Sequence, residues 1–214
     1  MKNSSILKNE LIFQYASGSA SLSKSLMAST YLTLNTKESS LFNEFENYCG
    51  EEFKNVSKIQ PKNLTPEKCI DSENININKN SENQTNSIMN IFENFVDIPW
   101  KKVFNGFYEH TIKISNTESA KLIKMDAGSK VPLHSHNGKE YILVLEGSFS
   151  DEYGKYSKGD LQINDSNIKH TPIACKNNGC ICLTITEEDL VFFGPFAPIL
   201  NILTFIKSLI FTPK

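Results

Sequence analysis

The chain has 214 residues, and 39% of them are hydrophobic, enough to bury a core and to exclude a wholly disordered or collagen-like chain. Its formal charge is -2 and all 22 basic residues are lysine, so it lacks both a basic surplus for nucleic-acid phosphates and the arginine fork that reads guanine. Five cysteines, an odd number with no C-x-x-C, argue against a secreted disulfide scaffold and for a reducing cytosol.

The first residues, MKNSSILKNELIF, lack the apolar run and small-residue cleavage site of a signal peptide. Leu7, Leu11, Ile12 and Tyr15 share one helical face, and Gly18 ends that segment. Leu22, Leu26, Met27, Tyr31 and Leu34 predict a second helix. Thr36 offers an N-cap for a third, with Leu41, Phe42, Phe45, Cys49, Phe53 and Val56 at spacings of three and four. Residues 1–70 therefore read as a small helical bundle. Its apolar content either packs inward or leaves one face for a partner, with Lys24 or Glu44 at the rim. Residues 71–87 are rich in Asn, Ser and Glu and read as a linker. Residues 88–96 fit a short helix that completes the helical part.

From residue 97 the texture changes. Short Val/Ile/Tyr/Phe runs at Ser119–Met125, Tyr141–Leu145, Asp160–Ile163 and Cys180–Thr186 alternate with Gly and Asn turns. This pattern over 97–195 predicts an antiparallel barrel or jelly roll, giving an α+β chain with helices first. Residues 196–214 are apolar but interrupted by Pro198, Asn201 and Lys207, too broken for a membrane span of about 20 residues. They read as an amphipathic helix docked on the barrel or on a second copy of the chain, with membrane-surface attachment the minority reading.

The chain has four histidines. His134 and His136 are i and i+2 on a predicted strand, so their rings share a face. Glu140 joins them only if the connecting hairpin preserves that face. A two-residue Asn137-Gly138 turn would send its carboxylate outward, whereas a three-residue loop, 137–139, would pair His136 with Glu140 and keep it inside. The three-residue loop is expected. His170, on a later strand, supplies a fourth group. Three imidazoles and one carboxylate suit one divalent metal, zinc first, with iron, manganese or nickel as alternatives. His110 lies outside the pattern. Cys180 and Cys182, also i and i+2, read as a buried small pair rather than a disulfide.

The run Gly128-x5-His134-x-His136-x3-Glu140-x6-Gly147 resembles the first cupin motif at every fixed position, and Lys158-Gly159-Asp160 followed by His170 a looser second motif. The segments 140–161, His170-Thr-Pro172 and 180–186 resemble the cupin half of ChrR-type anti-sigma factors. The weaker runs 11–19 and 26–35 resemble the helical half of that family. The resemblance implies a helical domain that sequesters an extracytoplasmic-function (ECF) type sigma factor in the cytoplasm, and a metal-binding cupin domain that senses a stress signal, oxidative in that family. It implies no direct nucleic-acid contact. The family also carries a zinc motif, His-x3-Cys-x2-Cys, after the second helix. Here those positions read Tyr31, Asn35 and Glu38, so that zinc site is expected to be lost. The same four barrel residues support an alternative, a metal-dependent cupin dioxygenase or isomerase with an accessory helical domain.

Overall fold

The computed structural model describes residues 2–54, 95–188, 190–195, 197–198 and 201. The expected linker 71–87, nearly all of the short helix 88–96 and most of the tail 196–214 lie outside the described residues. Met1–Cys49 and Trp100–Lys214 belong to one compact unit, and Gly50–Pro99 to another.

Helix α1 spans Lys2–Ala16, α2 Leu22–Leu34 and α3 Ser39–Lys54. The break after α1 uses Gly18 at φ 70°, where a Cβ would be unfavourable. Thr36 does not cap α3 as expected. Residues Thr36–Glu38 form a 3-10 turn; the Asn35 side chain makes no cap bond to it and donates to the carbonyls of Tyr31 (3.0 Å) and Gly159 (2.8 Å). Aromatic pairs join α1 to α3, Phe13 with Phe45 and Tyr15 with Phe42, each at 5.4 Å between centroids.

Ten strands follow among the described residues: β1 (Lys101–Phe104), β2 (Phe107–Lys113), β3 (Ser119–Met125), β4 (His134–His136), β5 (Glu140–Asp151), β6 (Gly154–Ser157), β7 (Leu161–Asn164), β8 (Ile173–Ala174), β9 (Cys180–Thr186) and β10 (Leu190–Phe192). All described pairings are antiparallel, and the α+β, cupin-type architecture expected from the sequence is the one observed. The long strand β5 organises the barrel. Its first half pairs with β7 on one edge and β9 on the other; its second half pairs with β6 and β8. An irregularity between Val144 and Glu146 marks the crossing from one layer to the next. There Gly147, at φ 71°, has the backbone of Gly179 where a Cβ would sit.

Side-chain alternation explains the helices' position. Ile142, Val144, Cys180 and Cys182 point inward and join Met125, Phe149 and Ala174 in the barrel core. Their alternates, Tyr141, Leu143, Leu183 and Ile185, face outward yet are buried too. A strand buried on both faces needs a cover. Here α2 packs against β5 and β9, and α1 against β7. Leu11 and Ile12 of α1 and Ser23, Met27, Ala28 and Tyr31 of α2 are buried. Full burial of each large side chain in such a seam is worth about 1.5–3 kcal/mol.

Polar contacts fix the seam. Glu118, in the turn before β3, accepts hydrogen bonds from Ser23 N (2.9 Å), Leu22 N (3.3 Å) and Ser23 Oγ (2.8 Å), so a barrel carboxylate caps the start of α2. Lys24 pairs with Glu187 of the barrel at 2.7 Å, and Glu44 is exposed. The degenerate zinc positions also hold polar contacts. Lys8 of α1 pairs with Glu38 at 3.0 Å and lies 5.7 Å from the centre of the Tyr31 ring. An ammonium thus stands among residues that occupy zinc-ligand positions in the resembled family.

Candidate metal centre

His134 and His136 lie on β4, Glu140 opens β5, and His170 precedes β8. All four are buried, and one potential ligand atom from each lies within 4.8 Å of the others. The structure brings together the four groups singled out in the sequence. The local route differs from the expected one. His136 does not pair with Glu140 across a hairpin. Strand β4 pairs with β10, His136 opposite Leu190, and His134 bridges His170. Glu140 pairs with Asn164 and Thr186. The three-residue connection 137–139 therefore passes between two sheets, and Glu140 points inward because the register of β5 with β7 and β9 puts it there.

The distances fit a shared cation. His134 Nε2 lies 3.1 Å from His170 Nε2, and Glu140 Oε2 lies 2.9 Å from His136 Nε2 and 3.4 Å from His170 Nε2. A tetrahedral ion with bonds of about 2.0–2.1 Å would space its donors by about 3.4 Å. Although His136 Nε2 is close to Glu140, it is off the line a ring N–H bond needs. Neither ring nitrogen of this buried histidine has an aligned hydrogen-bond partner. A buried orphan aimed at three other donors is explained if a metal ion completes it.

The outer partners set the tautomers. His134 Nδ1 donates to the carbonyl of Pro132 at 2.9 Å, which can only accept, and so its Nε2 carries the inward lone pair. His170 Nδ1 donates to Asp151 Oδ2 at 3.0 Å. Asp151 also accepts from Gln162 Nε2 at 2.7 Å, and Asn164 Nδ2 donates to Glu140 Oε2 at 3.1 Å. Burial pushes His134 down to about 4, against the pull of Glu140, so it is a neutral imidazole at neutral pH. Burial would also lower His170, but its bonds to Asp151 and Glu140 raise it to about 9. Burial would raise Glu140, yet the nearby His136 and His170 nitrogens hold its carboxyl well below the usual carboxylate range. To ligate a metal, His170 gives up its inward proton at Nε2 while Asp151 keeps the proton on Nδ1. A bound divalent ion would supply Lewis acidity at this buried point.

Asp151, Gln162 and Asn164 were not singled out in the sequence. Two of them carried a signal: Gln162 and Asn164 are i and i+2 in an otherwise apolar strand, two amides on one inward face. Asp151 carried none, because it meets His170 only through the pairing of β5 with β8. Cys180 and Cys182 are buried free thiols, with Sγ atoms 3.2 Å apart. His110 lies on β2 opposite Leu122, outside the cluster. Among the described residues no helix is long and apolar enough to cross a membrane.

The ChrR Cupin-like domain family matches residues 89–188. Anti-sigma-E factor ChrR of Cereibacter sphaeroides is 35% identical over 96 residues, 45% of this chain and 45% of that protein, so the match spans less than half of the relative's length. The crystal structure of Rhodobacter sphaeroides SigE in complex with the anti-sigma ChrR contains a chain that superposes with a TM-score of 0.66 at 25% identity, over 84% of this chain and 96% of that one. Residues 89–188 thus match the model of the ChrR Cupin-like domain family, and the likeness to a chain of the solved SigE–ChrR complex extends over 84% of this chain.

Proposed function

We propose that the chain is an anti-sigma factor that sequesters an ECF-type sigma factor through its helical segment, and that its barrel senses a stress signal, oxidative in our reading, through one divalent metal at His134, His136, Glu140 and His170. The observation that carries this reading is the extent of the likeness to the solved ChrR chain, which runs through the helices as well as the barrel. A cupin barrel alone would suit the enzyme reading equally; helices laid on its outer face suit a protein whose barrel governs what those helices can hold. Zinc is the metal we expect, since three imidazoles and a carboxylate form a borderline donor set. The partner places the chain in the cytoplasm, without direct contact to DNA.

The mechanism is occlusion. The helical segment covers surfaces the sigma factor needs for RNA polymerase, and a change at the metal site lowers that affinity. The test is co-purification of the tagged full-length chain with host proteins, followed by transcription with each ECF sigma factor recovered. The expected result is co-purification of one such factor and loss of its transcription when the chain is added. If the chain leaves transcription by every host ECF sigma factor unchanged, the proposal fails.

A further inference from the structure

The residue that follows the 137–139 connection, Glu140, is flanked on both sides by residues that fasten the helices to the barrel. On one side, Lys139 has both of its backbone groups tied to Glu187: its N–H donates to Glu187 Oε2 at 3.1 Å, and its carbonyl accepts from Glu187 N at 3.0 Å. The other oxygen of the same carboxylate, Glu187 Oε1, takes the ammonium of Lys24 from α2 at 2.7 Å. The Lys139 ammonium reaches Glu10 of α1 at 3.2 Å. On the other side, Tyr141 alternates to the outer face, where Lys24 Nζ lies 5.6 Å from its ring centre. Lys24 therefore touches both neighbours of Glu140, one through Glu187 and one directly. Glycine at 138 permits this closeness, since a Cβ there would lie 3.0 Å from Glu187 Cβ.

We infer that the run Lys139-Glu140-Tyr141 is a mechanical link, through which a divalent cation held by Glu140 and the three histidines sets how firmly α1 and α2 are held on the barrel. The inference rests on the metal-site reading above and adds the route by which that site reaches the helices. The Glu140 carboxylate is held by the histidine cluster and by Asn164, so its position depends on what the cluster holds. Its backbone sits between β7 and β9, and a shift there moves Lys139 and Tyr141 together rather than dissipating in a loop. The remaining polar anchors of α2, Glu118 at its start and Asn35 at its end, attach to the barrel away from this run. They hold α2 in place while the Lys24 contact varies. This arrangement joins the two ends of the proposed switch without passing through residues 71–87.

The experiment is hydrogen exchange by mass spectrometry on the full chain, chelator-treated and after adding equimolar zinc, with zinc content measured in the same samples. In the natural chain, zinc should slow exchange in residues 2–16 and 22–34 by about threefold to tenfold, the size expected from two part-exposed ion pairs acting together. The double variant K24M/E10Q should bind the same amount of zinc but lose the slowing in the helices. E118Q should exchange faster at the start of α2 in both states and keep the zinc-dependent difference. The link is overturned if zinc binds and the helices of the natural chain exchange equally with and without it, or if K24M/E10Q retains the full slowing. Absence of bound zinc from the natural chain would instead be read in the metal content, and would sink the metal-site reading together with the link.

Discussion

Replacing Asp151 with Asn should weaken metal binding although Asp151 is not a ligand. Its two oxygens have separate tasks. Oδ2 accepts from His170 Nδ1 (3.0 Å) and Gln162 Nε2 (2.7 Å), while Oδ1 accepts from the backbone N–H groups of Tyr153 (2.8 Å) and Gly154 (3.1 Å). An amide has an acceptor on one side only. If its oxygen stays with the turn, its NH2 faces two donors and His170 loses the partner that fixes its tautomer and charge. If it flips, the turn after β5 loses two bonds worth about 1 kcal/mol each. Loss of such an outer partner lowers metal affinity about 10- to 100-fold, which is about 1.4–2.8 kcal/mol. The assay is zinc titration in competition with a chromophoric chelator at fixed pH, beside thermal melts of the metal-free protein. Affinity should fall by that range in D151N, with Asp126→Asn, in the turn after β3, as the unaffected control. Loss of the turn alone would lower the melting temperature without changing affinity. Zinc affinity within about twofold of the natural chain would refute the role given to Asp151 and, with it, the tautomer assignment of His170.

Changing His134 and His136 together to Ala should take zinc content from one ion per chain to none; metal retained in that variant would mean other ligands hold it. Chelation should leave the helical circular dichroism of the natural chain unchanged, since Tyr31 and Glu38 stand at the degenerate zinc positions and hold the Lys8 ammonium there; K8M should lower stability by about 0.5–1 kcal/mol, and loss of helix on chelation would show that metal still holds that part. Hydrogen bonds from Ser23 hold the Glu118 carboxyl below its ordinary value near 4.5, so its contribution is fully present above that value and is lost as the pH falls through the lower folded value. Melts between about pH 6 and pH 3 should therefore show less acid sensitivity in E118Q than in the natural chain; identical slopes would remove Glu118 from that role.

The sequence by itself determined whatever depends on neighbours along the chain. The i, i+2 spacing of His134 and His136 put two imidazoles on one face, and the structure keeps them there. The apolar spacing of Leu22 to Leu34 marked a helix with those same ends, and β3 and β9 were legible as complete strands. Tertiary structure decided what depends on distant partners. Strand β4 pairs with β10 rather than with β5, because β5 is already flanked by β7 and β9 at that level, and no local pattern encodes which edges are taken. For the same reason Glu140 faces inward through sheet register and not through a hairpin, and Asp151 reaches His170 across 19 residues. The outward Tyr141 and Leu143 looked like ordinary strand residues, and only the helices laid over them account for their burial. Local periodicity fixes which face a side chain occupies; the pairing of remote segments, settled by the packing of the whole unit, fixes what that face meets.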